Sequence, residues 1–171
     1  MNMNIRCQYR LKDLAMASLL LLASLYPASQ AFSQDDEDRF SLAIVVHKGS
    51  TVENLSLQEL RKIFLADQQF WADRSRIILL VRAPKSEERD FVLNTIYQMD
   101  EQQFRKYWIA KMFRAEVPRG PKIVFSTDMT RELVVAIPGS ISFMDAKEAT
   151  DDVRVLRIDG KLPNEDGYPL K

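Results

Sequence analysis

The fold of this chain is indicated most directly by residues 77–88, which read IILLVRAPKSEE. The first five of these residues form an uninterrupted apolar run. A run of this kind is typical of a strand covered on both faces, as in a parallel sheet. Ser86 can then cap a helix that carries Glu87 and Glu88 in its first turn. The stretch therefore predicts a strand, a short turn and a helix of an α/β protein.

The same alternation of strands and helices continues along the chain. A second continuous apolar run lies at residues 42–46, and shorter strands are predicted at 123–125, 141–143 and 153–155. Helix starts are predicted at Ser56, at Asp100 with Gln103, and at Thr127. The aromatic stripes of these helices are interpreted as core. This order predicts one α/β domain over residues 41–160, with a central, mostly parallel sheet flanked by helices. Residues 161–171 are expected to form a loosely packed polar tail.

The amino terminus has the organisation of a cleavable signal peptide. Arg6, Arg10 and Lys12 precede an uncharged, mainly apolar segment at residues 14–26, and small residues lead to a predicted cleavage after Ala31. An uncleaved membrane anchor is the alternative, but an apolar core of about 13 residues is short of the ~20 that span a bilayer. The sequence therefore predicts export, an acidic linker at residues 32–40 and no membrane span after cleavage.

Composition argues against several classes of function. The chain has 24 basic and 24 acidic residues, so it lacks the basic excess expected of a nucleic-acid-binding protein. A catalytic triad would have to use the one histidine, His47, and no small-residue turn surrounds any serine. The one cysteine, Cys7, lies in the predicted signal peptide, so the rest of the chain has no nucleophilic thiol and lacks the three or four His or Cys ligands that are typical of a zinc site. We expect no catalysis, no cofactor and no metal.

Four segments, in the same order, resemble the phosphate-binding proteins of ABC importers. NLSLQELRKIFL at residues 54–65, which follows a strand and loop and precedes Trp71, is similar to the family stretch nLsleeLrkIFlGkitnW. RAPKSEERDF at 82–91 resembles the family's R-x-x-G-S-G-T segment, and IPGSISFM at 137–144 resembles anPgaIGYv. The last match is IDG with GYPL, within residues 158–170.

This resemblance implies a type II periplasmic-binding-protein fold. Full members of the family have two lobes, and a long portion precedes the strand that corresponds to residues 42–46. This chain is therefore expected to be truncated relative to them. The resemblance also implies a periplasmic location, capture or sensing of a solute linked to phosphate ABC transport, and an ABC permease or another envelope protein as partner.

The resemblance further implies an oxyanion site at residues 82–89. In the family, an arginine and a serine–glycine–threonine helix start hold the phosphate. Arg82 and Ser86 match the arginine and the serine. The glycines are replaced by Lys85 and Glu87 and the threonine by Glu88, while Lys85 and Arg89 would add positive charge. Hydroxyl groups of two loops that face the cleft in the family are further candidate ligands: Ser50, Thr51, Ser126 and Thr127.

Glu87 and Glu88 leave a second interpretation open. A carboxylate about 5 Å from a phosphate charge would disfavour binding by roughly 1–3 kcal/mol. The segment from Ser86 to Glu88 is equally explained as a well-capped helix start, with Arg82 paired to one of the glutamates. In that case the pocket is closed, and the domain serves as a protein-interaction module of the cell envelope.

Overall fold

A computed structural model describes residues 40–171 of the chain. The predicted signal peptide, its cleavage site and residues 32–39 of the predicted acidic linker lie outside the described residues, and they stay predictions. Within residues 40–171, none of the helices has the length and apolar character that crossing a membrane requires.

Seven strands and four α-helices make up the described domain. The strands are β1 (Leu42–His47), β2 (Asn54–Leu55), β3 (Ile78–Arg82), β4 (Lys122–Val124), β5 (Ser140–Asp145), β6 (Val153–Val155) and β7 (Arg157–Ile158). The α-helices are α1 (Leu57–Phe64), α2 (Glu87–Val92), α3 (Glu101–Phe113) and α4 (Thr127–Ala136). A π-helical turn at Leu93–Tyr97 follows α2, and a 3-10 turn at Ala146–Glu148 follows β5.

Five of the strands form the central sheet, in the order β4-β3-β5-β1-β6. β3 pairs in parallel with β4 and with β5, whereas β1 runs antiparallel to β5 and β6. The predicted α/β fold with a mostly parallel central sheet is therefore confirmed. β1 is the antiparallel exception. Its direction was not predicted, because a continuous apolar sequence carries no information on strand direction. β2 and β7 form a separate parallel pair.

The helices begin where their capping residues predict, with one exception. The Ser56 and Glu59 side chains form a reciprocal capping box at α1, and Asp100 and Gln103 form another at α3. At α4, however, the Ser126 hydroxyl accepts the capping hydrogen bond from Met129, so the prediction that Thr127 is the cap is wrong by one residue.

The sheet is covered by helices on both faces. Alternate residues of β1 point to opposite sides: Ile44 and Val46 pack with residues of α1, α2 and α3, whereas Ala43 and Val45 pack with α4. Each large apolar side chain buried in this way contributes roughly 1.5–3 kcal/mol of transfer free energy. Burial on both faces explains why β1 has no polar residue between Leu42 and Val46.

The carboxyl-terminal segment packs against β1, so the expectation of loose packing is wrong. Tyr168 and Leu170 are buried. The Tyr168 hydroxyl donates to the Leu42 carbonyl at 2.7 Å, and the Leu42 amide donates to the Leu170 carbonyl at 2.9 Å. Buried side chains among polar neighbours and hydrogen bonds to β1 hold the segment in place.

The strand directions define two ends of the sheet. We call the end where β3, β4 and β5 finish the carboxyl edge, and the end where they begin the amino edge. The turns after β3 and β4 meet at the carboxyl edge, because Arg82 is paired with Val124 across these strands. The loop after β1 lies at the amino edge, because β1 is antiparallel to β5.

Candidate oxyanion site

Arg82 ends β3 at the carboxyl edge and is the best-placed candidate ligand for an anion. Its Nη2 atom lies 3.6 Å from the Glu88 Oε1 atom, and the two side chains are only 11% and 13% exposed. This separation exceeds a good hydrogen-bond distance, so the contact is mainly Coulombic. The Arg82 Nε and Nη1 atoms are buried and have no hydrogen-bond partner among the described residues. Glu88 therefore occupies one side of the guanidinium and leaves two donors unsatisfied.

The turn between β3 and α2 holds Lys85 in an unusual backbone conformation. Lys85 has a φ of 75°, in the left-handed region that favours glycine. The family motif has glycine at this position. The Ala83 amide donates to the Val124 carbonyl at 2.8 Å and joins the turn to β4. The Lys85 side chain is exposed, so its ammonium group is free to approach a ligand at the carboxyl edge.

Ser86 is the N-cap of α2. Its hydroxyl oxygen accepts from the Arg89 amide at 3.2 Å. A serine hydroxyl has one proton to donate, so Ser86 can still donate to an oxyanion while it caps the helix.

Arg89, one of the predicted ligands, joins three elements of the core. Its side chain is 2% exposed, and its Nε and Nη2 atoms donate to the two carboxylate oxygens of Glu101 at 2.9 and 3.0 Å. Nη1 donates to the Arg82 carbonyl at 2.6 Å, and the guanidinium lies 4.7 Å from the centre of the Phe104 ring. All three nitrogen atoms are engaged, so the structure gives Arg89 a structural role.

The hydroxyl candidates fall into two groups. Ser126 and Thr127 lie at the carboxyl edge with Arg82, but the Ser126 hydroxyl caps α4, and the Thr127 hydroxyl donates to Glu148 at 2.6 Å. Ser50 and Thr51 follow β1 and lie at the amino edge. The Ser50 hydroxyl accepts from the Val52 amide there. The structure therefore does not bring Ser50 and Thr51 together with Arg82.

Sequence reasoning missed two acidic residues that determine the polar contacts of this edge. Glu101 binds Arg89, and Glu148 binds Thr127. The capping pair at Asp100 and Gln103 placed Glu101 in the first turn of a helix, but its partner twelve residues earlier leaves no local signal. Glu88 and Glu101 thus each pair with one of the two arginines, Arg82 and Arg89.

No protein-family model and no curated protein matches this chain. Solved structures do resemble it, among them a protein from Clostridium perfringens assigned as a phosphate ABC transporter substrate-binding protein, with phosphate bound. This protein is 17% identical with a TM-score of 0.60, and the match covers 72% of this chain and 47% of the other.

An ABC-type phosphate transport receptor from Vibrio cholerae gives the same identity and TM-score, with 72% of this chain and 48% of the receptor covered. PstS from Borrelia burgdorferi is 16% identical, with a TM-score of 0.60 and 77% and 54% of the two chains covered. The expected likeness to substrate-binding proteins of phosphate ABC transporters is confirmed at the level of the fold. This chain spans about half the length of the solved proteins that it matches.

Proposed function

We propose that this chain is a periplasmic, non-catalytic binding domain that captures or senses phosphate or another small oxyanion at Arg82, in connection with phosphate ABC transport. The observation that carries the proposal is the pair of buried Arg82 donors, Nε and Nη1, without a partner. A buried donor without an acceptor costs about 1–3 kcal/mol, and an oxyanion would supply the missing acceptors. Arginine and phosphate form charge-assisted, bidentate hydrogen bonds. The fold shared with phosphate-binding proteins supports the same ligand.

In this proposal Glu88 is an internal competitor of the ligand. Its carboxylate faces one side of the Arg82 guanidinium at 3.6 Å. An incoming anion has to displace Glu88 or bind beside it, and like charges about 5 Å apart repel by roughly 1–3 kcal/mol. Lys85 and the Ser86 hydroxyl proton offset part of this repulsion. We therefore expect weak phosphate binding by the natural protein.

Calorimetric titration with phosphate at low salt tests the proposal. Glu88→Gln removes the charge and keeps the shape, so it should raise the phosphate affinity about tenfold. Glu87→Gln is the matched control, because Glu87 lies in the same turn with an exposed side chain, and it should change the affinity much less. Arg82→Gln should abolish binding. If Glu88→Gln binds no phosphate at millimolar concentration, oxyanion capture at Arg82 is wrong.

A second candidate function is that of a protein-interaction module of the cell envelope. The contact between Arg82 and Glu88 favours it, and so does Phe125, which follows β4 at the same edge and is 74% exposed. An exposed aromatic ring at the edge where Glu88 already faces Arg82 fits a protein partner better than a small solute. A permease or another envelope protein is the expected partner.

Photo-crosslinking in cells tests the second candidate. A benzophenone amino acid at position 125 should yield a discrete crosslinked species, while one at Val135, exposed on α4, should not. Equal labelling at both positions would count against a specific partner at the carboxyl edge.

The environment of His47 supports the absence of catalysis in this proposal. His47 ends β1 at the amino edge, and its Nδ1 atom accepts from the Gly49 amide at 3.0 Å. A serine hydrolase would need His47 to activate a serine. The hydrogen bond of His47 shown here is instead made to the backbone of the turn that directly follows β1. Incubation with phosphoryl and acyl ester substrates should therefore give no turnover, and turnover lost in His47→Gln would contradict the proposal.

A further inference from the structure

We propose that a second ligand site lies at the amino edge and binds a small organic carboxylate with an apolar body. A cavity of about 460 Å³ lies where β3 and β4 begin and α4 ends. Cavities of roughly 300–1,000 Å³ are typical of small-molecule sites. No residue of the candidate oxyanion site lines this cavity.

The walls of the cavity are mainly apolar. The space is surrounded by Ile77, which directly precedes β3, by Leu79 of β3, and by Val117, Ile137 and Trp108. Bare phosphate is a poor occupant of such a space, because its hydration would be lost against hydrocarbon. A ligand with an aromatic or branched body gains from the same burial.

One of the residues that line the cavity carries a hydrogen-bond donor without an acceptor. The Trp108 side chain is 6% exposed, and its Nε1 atom is buried with no partner among the described residues. An indole N–H can only donate. By contrast, the Nε1 atom of Trp71 donates to the Gly139 carbonyl at 3.0 Å. In the proposed site, a ligand oxygen supplies the acceptor that the Trp108 donor lacks.

The rim of the cavity is positively charged. Arg76, Arg119 and Lys122 are exposed and line the space, which has no aspartate or glutamate among its lining residues. None of the three basic side chains forms an ion pair with any residue in the range 40–171. Arg76 lies 5.7 Å from the centre of the Phe70 ring, which leaves its donors free to bind an anion. An anionic head group and an apolar body match this distribution.

Nuclear magnetic resonance of the two indole N–H groups tests the site directly. The chain has two tryptophans, and Trp108→Phe assigns their signals. Titration of the full protein with cinnamate should shift the Trp108 signal saturably and leave that of Trp71 nearly unmoved. Cinnamamide has the same apolar body without the charge and should bind about tenfold more weakly. No saturable shift with millimolar cinnamate, or equal affinity for cinnamamide, would overturn the proposal.

Exposed substitutions check the role of the rim without disturbing the core. The double variant Arg119→Gln with Lys122→Gln should weaken cinnamate binding about tenfold, from the usual range for two partly exposed charges. Lys62→Gln with Lys106→Gln removes the same charge from exposed positions outside the cavity and should leave binding unchanged. Equal loss in both double variants would show only a net-charge effect and would refute the site. Arg82→Gln should not alter cinnamate binding, so this result is independent of the outcome for phosphate.

Discussion

Replacing Arg89 should destabilise the whole domain rather than only alter ligand binding. The Arg89 guanidinium is 2% exposed and makes two hydrogen bonds to Glu101 and one to the Arg82 carbonyl. Removing one partner of a buried ion pair typically costs 3–5 kcal/mol. Glu101 is 31% exposed and can regain water, so Arg89→Ala should cost about 3 kcal/mol, near the lower limit. That is a large fraction of the 5–15 kcal/mol that stabilises an average domain.

Urea denaturation followed by tryptophan fluorescence measures this loss, and a thermal scan should show a fall of about 10 °C in Tm. Arg105→Ala is the matched control, because Arg105 lies 3.8 Å from the same Glu101 carboxylate but is 71% exposed. An exposed pair on one helix contributes about 0.3–0.5 kcal/mol. The contrast between the two variants isolates the effect of burial.

The double variant Arg89→Met with Glu101→Leu should recover most of the lost stability. Replacing both members of a buried ion pair by apolar side chains is often neutral or stabilising, whereas removing one leaves a charge without its partner. If Arg89→Met lowers stability by less than about 1 kcal/mol and abolishes phosphate binding, then Arg89 is a ligand, and the structural argument is refuted.

Two further predictions concern backbone strain and alkaline pH. Gly139 has a φ of 82°, and a Cβ there would lie 2.6 Å from the Arg76 carbonyl oxygen, so Gly139→Ala should cost about 2 kcal/mol or more in urea denaturation. Gly120→Ala meets no atom within 4 Å and should be nearly neutral in the same assay; equal costs would contradict the strain argument. Burial raises the pKa of Tyr168, so the tyrosine resists ionisation in the folded protein. The contribution of Tyr168 to the free energy of unfolding should therefore be complete below about pH 10 and be lost as the pH rises further. Tyr168→Phe loses the hydrogen bond to Leu42, about 1 kcal/mol at neutral pH, but should weaken this alkaline loss; an unchanged pH profile would exclude the tyrosine as its source.

The sequence predicts the elements of the fold better than their arrangement. The uninterrupted apolar runs at 42–46 and 77–81 locate β1 and β3, because short runs of this kind are typical of strands buried on both faces. Capping side chains locate the helix starts, since they act within four residues. Strand direction depends on pairing with distant residues, so the antiparallel β1 could not be predicted. The pair of β2 and β7 has two residues in each strand, too few for any periodicity.

The candidate site shows the same difference: contacts between residues close in sequence could be predicted, and contacts between distant residues could not. The pairing of Arg82 with Glu88 spans one turn and was among the alternatives that the sequence itself presents. The assignment of Arg89 as a ligand followed from its place beside the motif, but its partner Glu101 lies across the next helix boundary. The cavity at the amino edge is lined by five separate segments, so no contiguous motif marks it.

The conformation of Lys85 bears on the choice between the two proposed functions. Lys85 stands where the motif that residues 82–91 resemble has glycine, and it has a positive φ of 75° although this conformation disfavours a side chain. The backbone therefore turns as a glycine would allow, and Ser86 caps the helix that follows β3. The two residues after Ser86 are glutamates, and Glu88 contacts Arg82. Because the turn has this shape and one of the glutamates faces Arg82, the choice between an oxyanion site and a closed pocket depends chiefly on one carboxylate. Neutralising that carboxylate is therefore a more direct test than rebuilding the whole glycine-rich segment.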